Sequence, residues 1–176
     1  MGFRGAVLIA CTGGTIFIVM LIQSCHSNLP VPTQNGAGTL GMRVNGSQWN
    51  AGIIGTSTSA THYKTQKAVQ IQAEIGSGPS NSTFNIIINN VSGKGFYNMG
   101  VLNINTGSLL DSTRFWYGDD LKGSYQLSNP NLSLVTITKF DTIYNVISGT
   151  FTANLVNKKQ DTLKLTDGRF DLRLDP

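Results

Sequence analysis

From Leu40 onward apolar positions recur every second residue, and no stretch repeats with the 3.6-residue period of an amphipathic helix. Met42-Arg43-Val44 runs into Asn45-Gly46, a dipeptide suited to the positive φ angles of a two-residue hairpin turn. Ser47-Gln48-Trp49-Asn50 is the expected return strand, with Trp49 toward the core. Ile53–Ser57 reads as a short strand. Ala68–Ile75 alternates cleanly, with Val69, Ile71, Ala73 and Ile75 on one side and Gln70, Gln72 and Glu74 on the other, as in a sheet with one wet face. Gly76–Asn81 is a loop. In Thr83–Asn89 the residues Phe84, Ile86 and Ile88 share a side, and Ile87 interrupts the polar one. Asn90–Gly95 turns the chain into Phe96-Tyr97. Thr113–Tyr117 predicts a further strand, followed by the loop Gly118–Gly123 and Tyr125. The last third predicts three long strands, Ser133–Phe140, Val146–Leu155 and Asp161–Leu174, with polar turns near Asp141-Thr142 and at Asn157–Gln160. Gly149 and Gly168 sit inside or beside these strands, where a bulge or close sheet packing is the usual reason.

About nine strands in this length predict an all-β domain, an antiparallel β-sandwich or alternatively a closed or partly open β-barrel. No long helix is present to build a βαβ fold, and there is no repeat of fixed period. The folded domain is expected over 40–176. Residues 25–39, polar and rich in turn formers (His26-Ser27-Asn28-Leu29-Pro30, then Gln34-Asn35-Gly36-Ala37-Gly38), read as a flexible spacer before it.

The N-terminus departs from this pattern. Arg4 is followed by the apolar run Ala6–Ile22, which ends in Ile22-Gln23-Ser24-Cys25. A cationic start, a short apolar segment and small or polar residues at its end are the marks of an export signal over 1–24. The run is at the low end of the length needed to cross a bilayer and holds two glycines and two threonines, yet a retained membrane helix is the rival reading. Position 6 is alanine, not the hydroxyl residue of a myristoylation signal. Ile22-Gln23-Ser24-Cys25 resembles a bacterial lipoprotein cleavage box, which implies acylation of Cys25; the bland alternative is an ordinary surface cysteine. Once Cys11 leaves with the signal and Cys25 is acylated, the mature chain has neither a free thiol nor a disulfide.

Leu40–Ala51, Gly95-Phe96-Tyr97, Ile137-Thr138-Lys139-Phe140-Asp141, Ile147-Ser148-Gly149-Thr150-Phe151 and Gly168-Arg169-Phe170-Asp171 occur in an order that resembles a broad group of uncharacterised Bacteroidota lipoproteins with small all-β domains. The likeness covers most of residues 40–173 and implies an all-β fold and an exported lipoprotein. It carries over no catalytic residue.

Candidate chemistry is sparse. His26 lies in the spacer and His62 stands alone, without the further imidazole or thiolate partners zinc needs, so no metal and no cofactor are expected. Asp119-Asp120 lacks the alternating acids of a calcium loop. Glu74, Asp111, Asp119 and Asp120 are the acids from which a glycosidase would draw a convergent pair. No Gly-x-Ser-x-Gly elbow is present. In Phe115-Trp116-Tyr117 the first and last residues share one side of a strand and Trp116 points to the other, so Trp116 with Tyr125 or Asp119 is the candidate ligand patch for sugars or peptides. The net charge of +4, about +3 without Arg4, is spread over scattered residues such as Lys64, Lys67, Lys158 and Lys159. These form no stripe with interleaved aromatics, so no nucleic-acid partner is expected.

The expectation is a domain anchored in membrane lipid through acylated Cys25, in the bacterial envelope, on the outer membrane facing the periplasm, since no acid follows Cys25 to direct it to the cell surface. Its role is non-enzymatic binding or structural, with an envelope protein or a glycan as partner, an edge strand being one docking route. The alternative is an envelope glycan hydrolase with paired carboxylates.

Overall fold

The computed structural model describes residues 29–52, 56–76, 81–98, 114–121, 123–127 and 133–175. Eleven strands occur among them: β1 (Thr39–Val44), β2 (Ser47–Ala51), β3 (Thr56–Tyr63), β4 (Ala68–Ile75), β5 (Ser82–Ile88), β6 (Gly95–Asn98), β7 (Arg114–Asp119), β8 (Gly123–Leu127), β9 (Leu134–Asp141), β10 (Val146–Val156) and β11 (Thr162–Asp175). No helix among the described residues is long and apolar enough to cross a membrane; Ala6–Ile22 and Cys25 lie outside them.

The strands form two sheets. One is antiparallel throughout, in the order β2-β1-β11-β10-β9-β6. The other, also antiparallel, is β3-β4-β5-β7-β8. They meet at two corners. The end of β11 pairs in parallel with β3 at Leu174↔Ala60 and Asp175↔Thr61, and the end of β10 pairs with β8 at Leu155↔Leu127 and Val156↔Gln126. Hydrogen bonding therefore links all eleven strands, and β11-β3-β4-β5-β7-β8-β10 closes as a ring. The corner joints are only two residue pairs each, so the architecture is a β-sandwich with tied corners and not a barrel of uniform pairing.

Local sequence explains the elements. Asn45 and Gly46 take φ of 49° and 84°, the paired positive angles of a type I′ hairpin, and Val44 faces Ser47 across it. Val69, Ile71 and Ala73 of β4 and Phe84, Ile86 and Ile88 of β5 are buried, as the alternation predicts. β3 extends well past the Ile53–Ser57 segment that the pattern suggests; residues 53–55 lie outside the description. Only its Ala60 is buried, the rest being Thr, Ser, His and Tyr, so its period-two signal is weak.

The core between the sheets is built on aromatics. Phe151 of β10 stacks on Phe84 of β5 with ring centroids 5.0 Å apart, and Phe115 of β7 packs 5.8 Å from Phe151. Trp49 closes one end, edge-on to Phe84 and Tyr117, and its indole N–H donates to Ser82 Oγ at 2.8 Å. His62 and Phe140 meet edge-to-face at 5.2 Å. Full burial of each large apolar side chain contributes about 1.5–3 kcal/mol. Along β11 the inward residues are first Leu163 and Leu165, then Gly168, Phe170, Leu172 and Leu174. The change from odd to even positions occurs at a bulge where Asp167 takes φ 53°, and the added residue keeps both halves of the long strand facing the core.

Candidate functional site

Trp116 lies on the outer face of the five-stranded sheet, in the row Ser59–Gln72–Asn85–Trp116–Gln126 that crosses all five strands. Its neighbours on either side, Phe115 and Tyr117, are buried in the core. The indole lies over Gly118, where a Cβ would come within 2.4 Å of the ring, and its N–H donates to Ser124 Oγ at 2.6 Å. The ring is thus pinned flat on the sheet by a missing side chain and a hydrogen bond, and it remains partly exposed. The flanking row on the same face is Ser57–Glu74–Thr83–Gly118–Ser124. Amides and hydroxyls dominate both rows, with Glu74 their one charge.

The other two patch residues are placed elsewhere. Tyr125 pairs with Tyr117, is buried, and points into the core with ring centroids 6.4 Å apart. Asp119 shares the Tyr117 side of β7. Its carboxylate accepts from the Tyr117 hydroxyl at 3.3 Å and from the Leu121 N–H at 2.9 Å, so it holds the β7–β8 turn. Trp116 therefore shares a surface with Gln72, Asn85 and Gln126, and not with Tyr125. Burial, then the nearby Asp119 charge, push the Tyr117 phenol up to about 12, with a hydrogen bond to Ser82 acting the other way.

An open groove of about 740 Å³ adjoins this face. Ser124 and Gln126 line it together with Leu121, Asn157, Lys158 and Lys159. The turn that carries the lysines is braced by Asn157, whose side-chain oxygen accepts from the N–H groups of Lys159 and Asp161 at 2.8 and 2.9 Å.

The carboxylates considered for hydrolysis are not gathered. Glu74 projects from the outer face and accepts from Asn81 Nδ2 at 2.6 Å, whereas Asp119 is on the inner side of its strand end. Asp120 is exposed in the turn, and Asp111 lies outside the described residues. Among the described residues no three His, Cys, Asp or Glu side chains gather as a metal site. His62 packs on Phe140, and burial, with the Lys64 charge, holds its pKa below the usual value; His26 is outside the description.

The most heavily bonded polar group was not legible in the sequence. Asp171 points out of β11 on the outer face of the six-stranded sheet, beneath residues 33–37, and is buried. Its Oδ1 accepts from Ser148 Oγ at 2.7 Å and Gly36 N–H at 2.9 Å. Its Oδ2 accepts from Thr33 Oγ1, from Ala37 N–H at 3.2 Å and from Asn35 N–H at 3.3 Å. Burial alone would raise its pKa; the bonds from Thr33, Ser148, Gly36 and Ala37 outweigh burial and hold it below the usual carboxylate value. Arg169 donates to the Pro30 carbonyl at 3.1 Å and Lys139 to the Gln34 carbonyl at 3.0 Å. Leu29 is buried, and Pro30 packs where Gly41 leaves room. Over its described part, 29–38, the segment expected as a flexible spacer is thus a strap fastened to the sheet. The available clue was an acid interrupting the apolar alternation of a long strand, with a Gly- and Asn-containing segment elsewhere to supply N–H donors.

Comparison with known proteins finds no family model, no curated protein and no solved structure that matches this chain.

Proposed function

We propose that the protein is a non-enzymatic binding domain of the bacterial envelope, anchored through acylated Cys25 to the outer membrane on its periplasmic side. The observation that carries the binding role is the Trp116 ring, laid flat on Gly118 amid amides and hydroxyls. An indole plane rimmed by neutral hydrogen-bonding groups suits sugar rings, which have apolar faces and hydroxyl edges. The adjoining groove gives a chain longer than one ring a path past Lys158 and Lys159. A glycan of the envelope is therefore the favoured ligand. Anchoring is supported by Arg4, the run Ala6–Ile22 and Ile22-Gln23-Ser24-Cys25.

Two measurements test this. Intact mass of the membrane fraction from the natural host, beside Cys25→Ser, should show a species starting at Cys25 with acyl mass that the mutant lacks. A membrane-bound chain retaining residues 1–24 without lipid overturns the anchor. Cosedimentation with purified envelope glycan should deplete the wild type and not Trp116→Ala; equal depletion removes the glycan.

A further inference from the structure

We infer that the domain lies with the outer face of its six-stranded sheet on the bilayer, leaving the Trp116 face turned away from the membrane. This rests on the acylation of Cys25 proposed above. Only His26, Ser27 and Asn28 separate that cysteine from Leu29, which is already buried on the domain. Four residue steps span at most about 14 Å. The strap beyond Leu29 adds no slack, because Asp171, Arg169 and Lys139 fasten it. Reaching the opposite face means passing two sheets about 10 Å apart together with the side chains on both outer surfaces, which is more than the tether allows. The lipid therefore enters the bilayer beside the strap.

The two outer faces differ as this placement requires. On the strap side Val31 is 73 % exposed, Phe96 77 % and Leu134 36 %. Phe96 pairs with Thr136, and Leu134 with Thr152, on the side of β6, β9 and β10 that faces away from the core. These three span the sheet from the strap to the β6 edge. The outer face of the other sheet presents Ser57, Ser59, Thr61, Gln70, Gln72 and Asn85, with Ile87 and Trp116 as its apolar members, both only partly exposed. Exposed apolar side chains beside a lipid anchor add burial area at the interface.

The test uses the full chain matured in its host, acylation at Cys25 first established by intact mass, in vesicles of phosphatidylethanolamine and phosphatidylglycerol with brominated acyl chains. Val31→Trp and Phe96→Trp are made in a Trp116→Phe background, both at exposed positions that accept the larger ring. After subtraction of the Trp49 emission measured in the Trp116→Phe parent, their emission should fall by about twofold, as for side chains seated at the headgroup boundary. The Trp116 emission, taken as the difference between the unaltered protein and Trp116→Phe, should keep its intensity. Acylated protein in which Trp116 is quenched, or in which neither new tryptophan is, overturns the inference and leaves the anchor intact. Shielding of the new tryptophans from aqueous iodide without bromine quenching assigns the face to a second copy or a protein, and also overturns it. Absence of acyl mass removes both the anchor and the orientation, and is seen before any fluorescence is measured.

Discussion

The ring of Phe170 occupies the space that a side chain on Gly149 would fill: a Cβ there would come within 2.6 Å of Phe170 Cζ and 2.3 Å of the Thr136 carbonyl oxygen. Two residues along the same ladder the arrangement is reversed, with Phe151 laid on Gly168. The two rings are tilted by 25° at 6.5 Å, and Phe151 reaches across to Phe84 of the other sheet. Gly149→Ala should therefore lower stability by about 1–3 kcal/mol through overpacking, and Phe151→Ala by about 3–5 kcal/mol through the cavity it leaves. Urea unfolding midpoints decide both. An unchanged midpoint for Gly149→Ala would show that the ladder has more room than these distances allow.

Asp171 makes the strap sensitive to acid. Its folded pKa lies below the ordinary value of 3.8, so its contribution is fully present above that pH and is lost as pH falls toward the folded value. Asp171→Asn replaces an acceptor by an NH₂ group facing donors and should cost about 2–3 kcal/mol at neutral pH. Unfolding of the variant should also depend less on pH below 3.8 than that of the wild type. Parallel acid profiles for the two proteins would place the acid-sensitive group elsewhere.

Tyr117 gives the opposite dependence at high pH. Its phenol is raised from 10.0 to about 12, so the stability it contributes is complete below pH 10.0 and disappears as pH rises through about 12. Tyr117→Phe should flatten the alkaline limb of a stability-against-pH curve, read by thermal unfolding at increasing pH.

Trp116→Ala removes a partly exposed ring and leaves the core aromatics in place. Its stability should stay within about 1 kcal/mol of the wild type, as for surface substitutions. Glycan affinity should fall at least tenfold, about 1.4 kcal/mol, in a fluorescence or calorimetric titration. A comparable loss from Gln126→Ala would place the ligand along the row toward the groove.

Much of this fold is written in the alternation. The Asn45-Gly46 hairpin, β4, β5 and the last three strands stand where the pattern puts them, because each has one buried face of large apolar residues. β3 is muted because Thr and Ser occupy both its faces. Pairing Trp116 with Tyr125 failed on parity: Tyr117 opposes Tyr125 and Trp116 opposes Gln126, a register set by a turn whose length the glycines and acids do not declare. Asp171 belongs to the Gly168–Asp171 run noticed in the sequence. Its role depends on donors about 135 residues earlier, a relation that period and composition do not carry.

That separation also governs the order in which the molecule can form. β1 finds its main partner in β11, Thr39 opposite Asp171, and the strap before it closes on the same aspartate. Loop closure over so long an interval is slow, so the local hairpins β1–β2 and β10–β11 can form before β1 meets β11. The β1–β11 edge and the bonds of the strap to Asp171 must therefore wait for the last few residues to be synthesised. A chain threaded unfolded through a translocon would keep its leading end unlocked until its tail arrived on the far side.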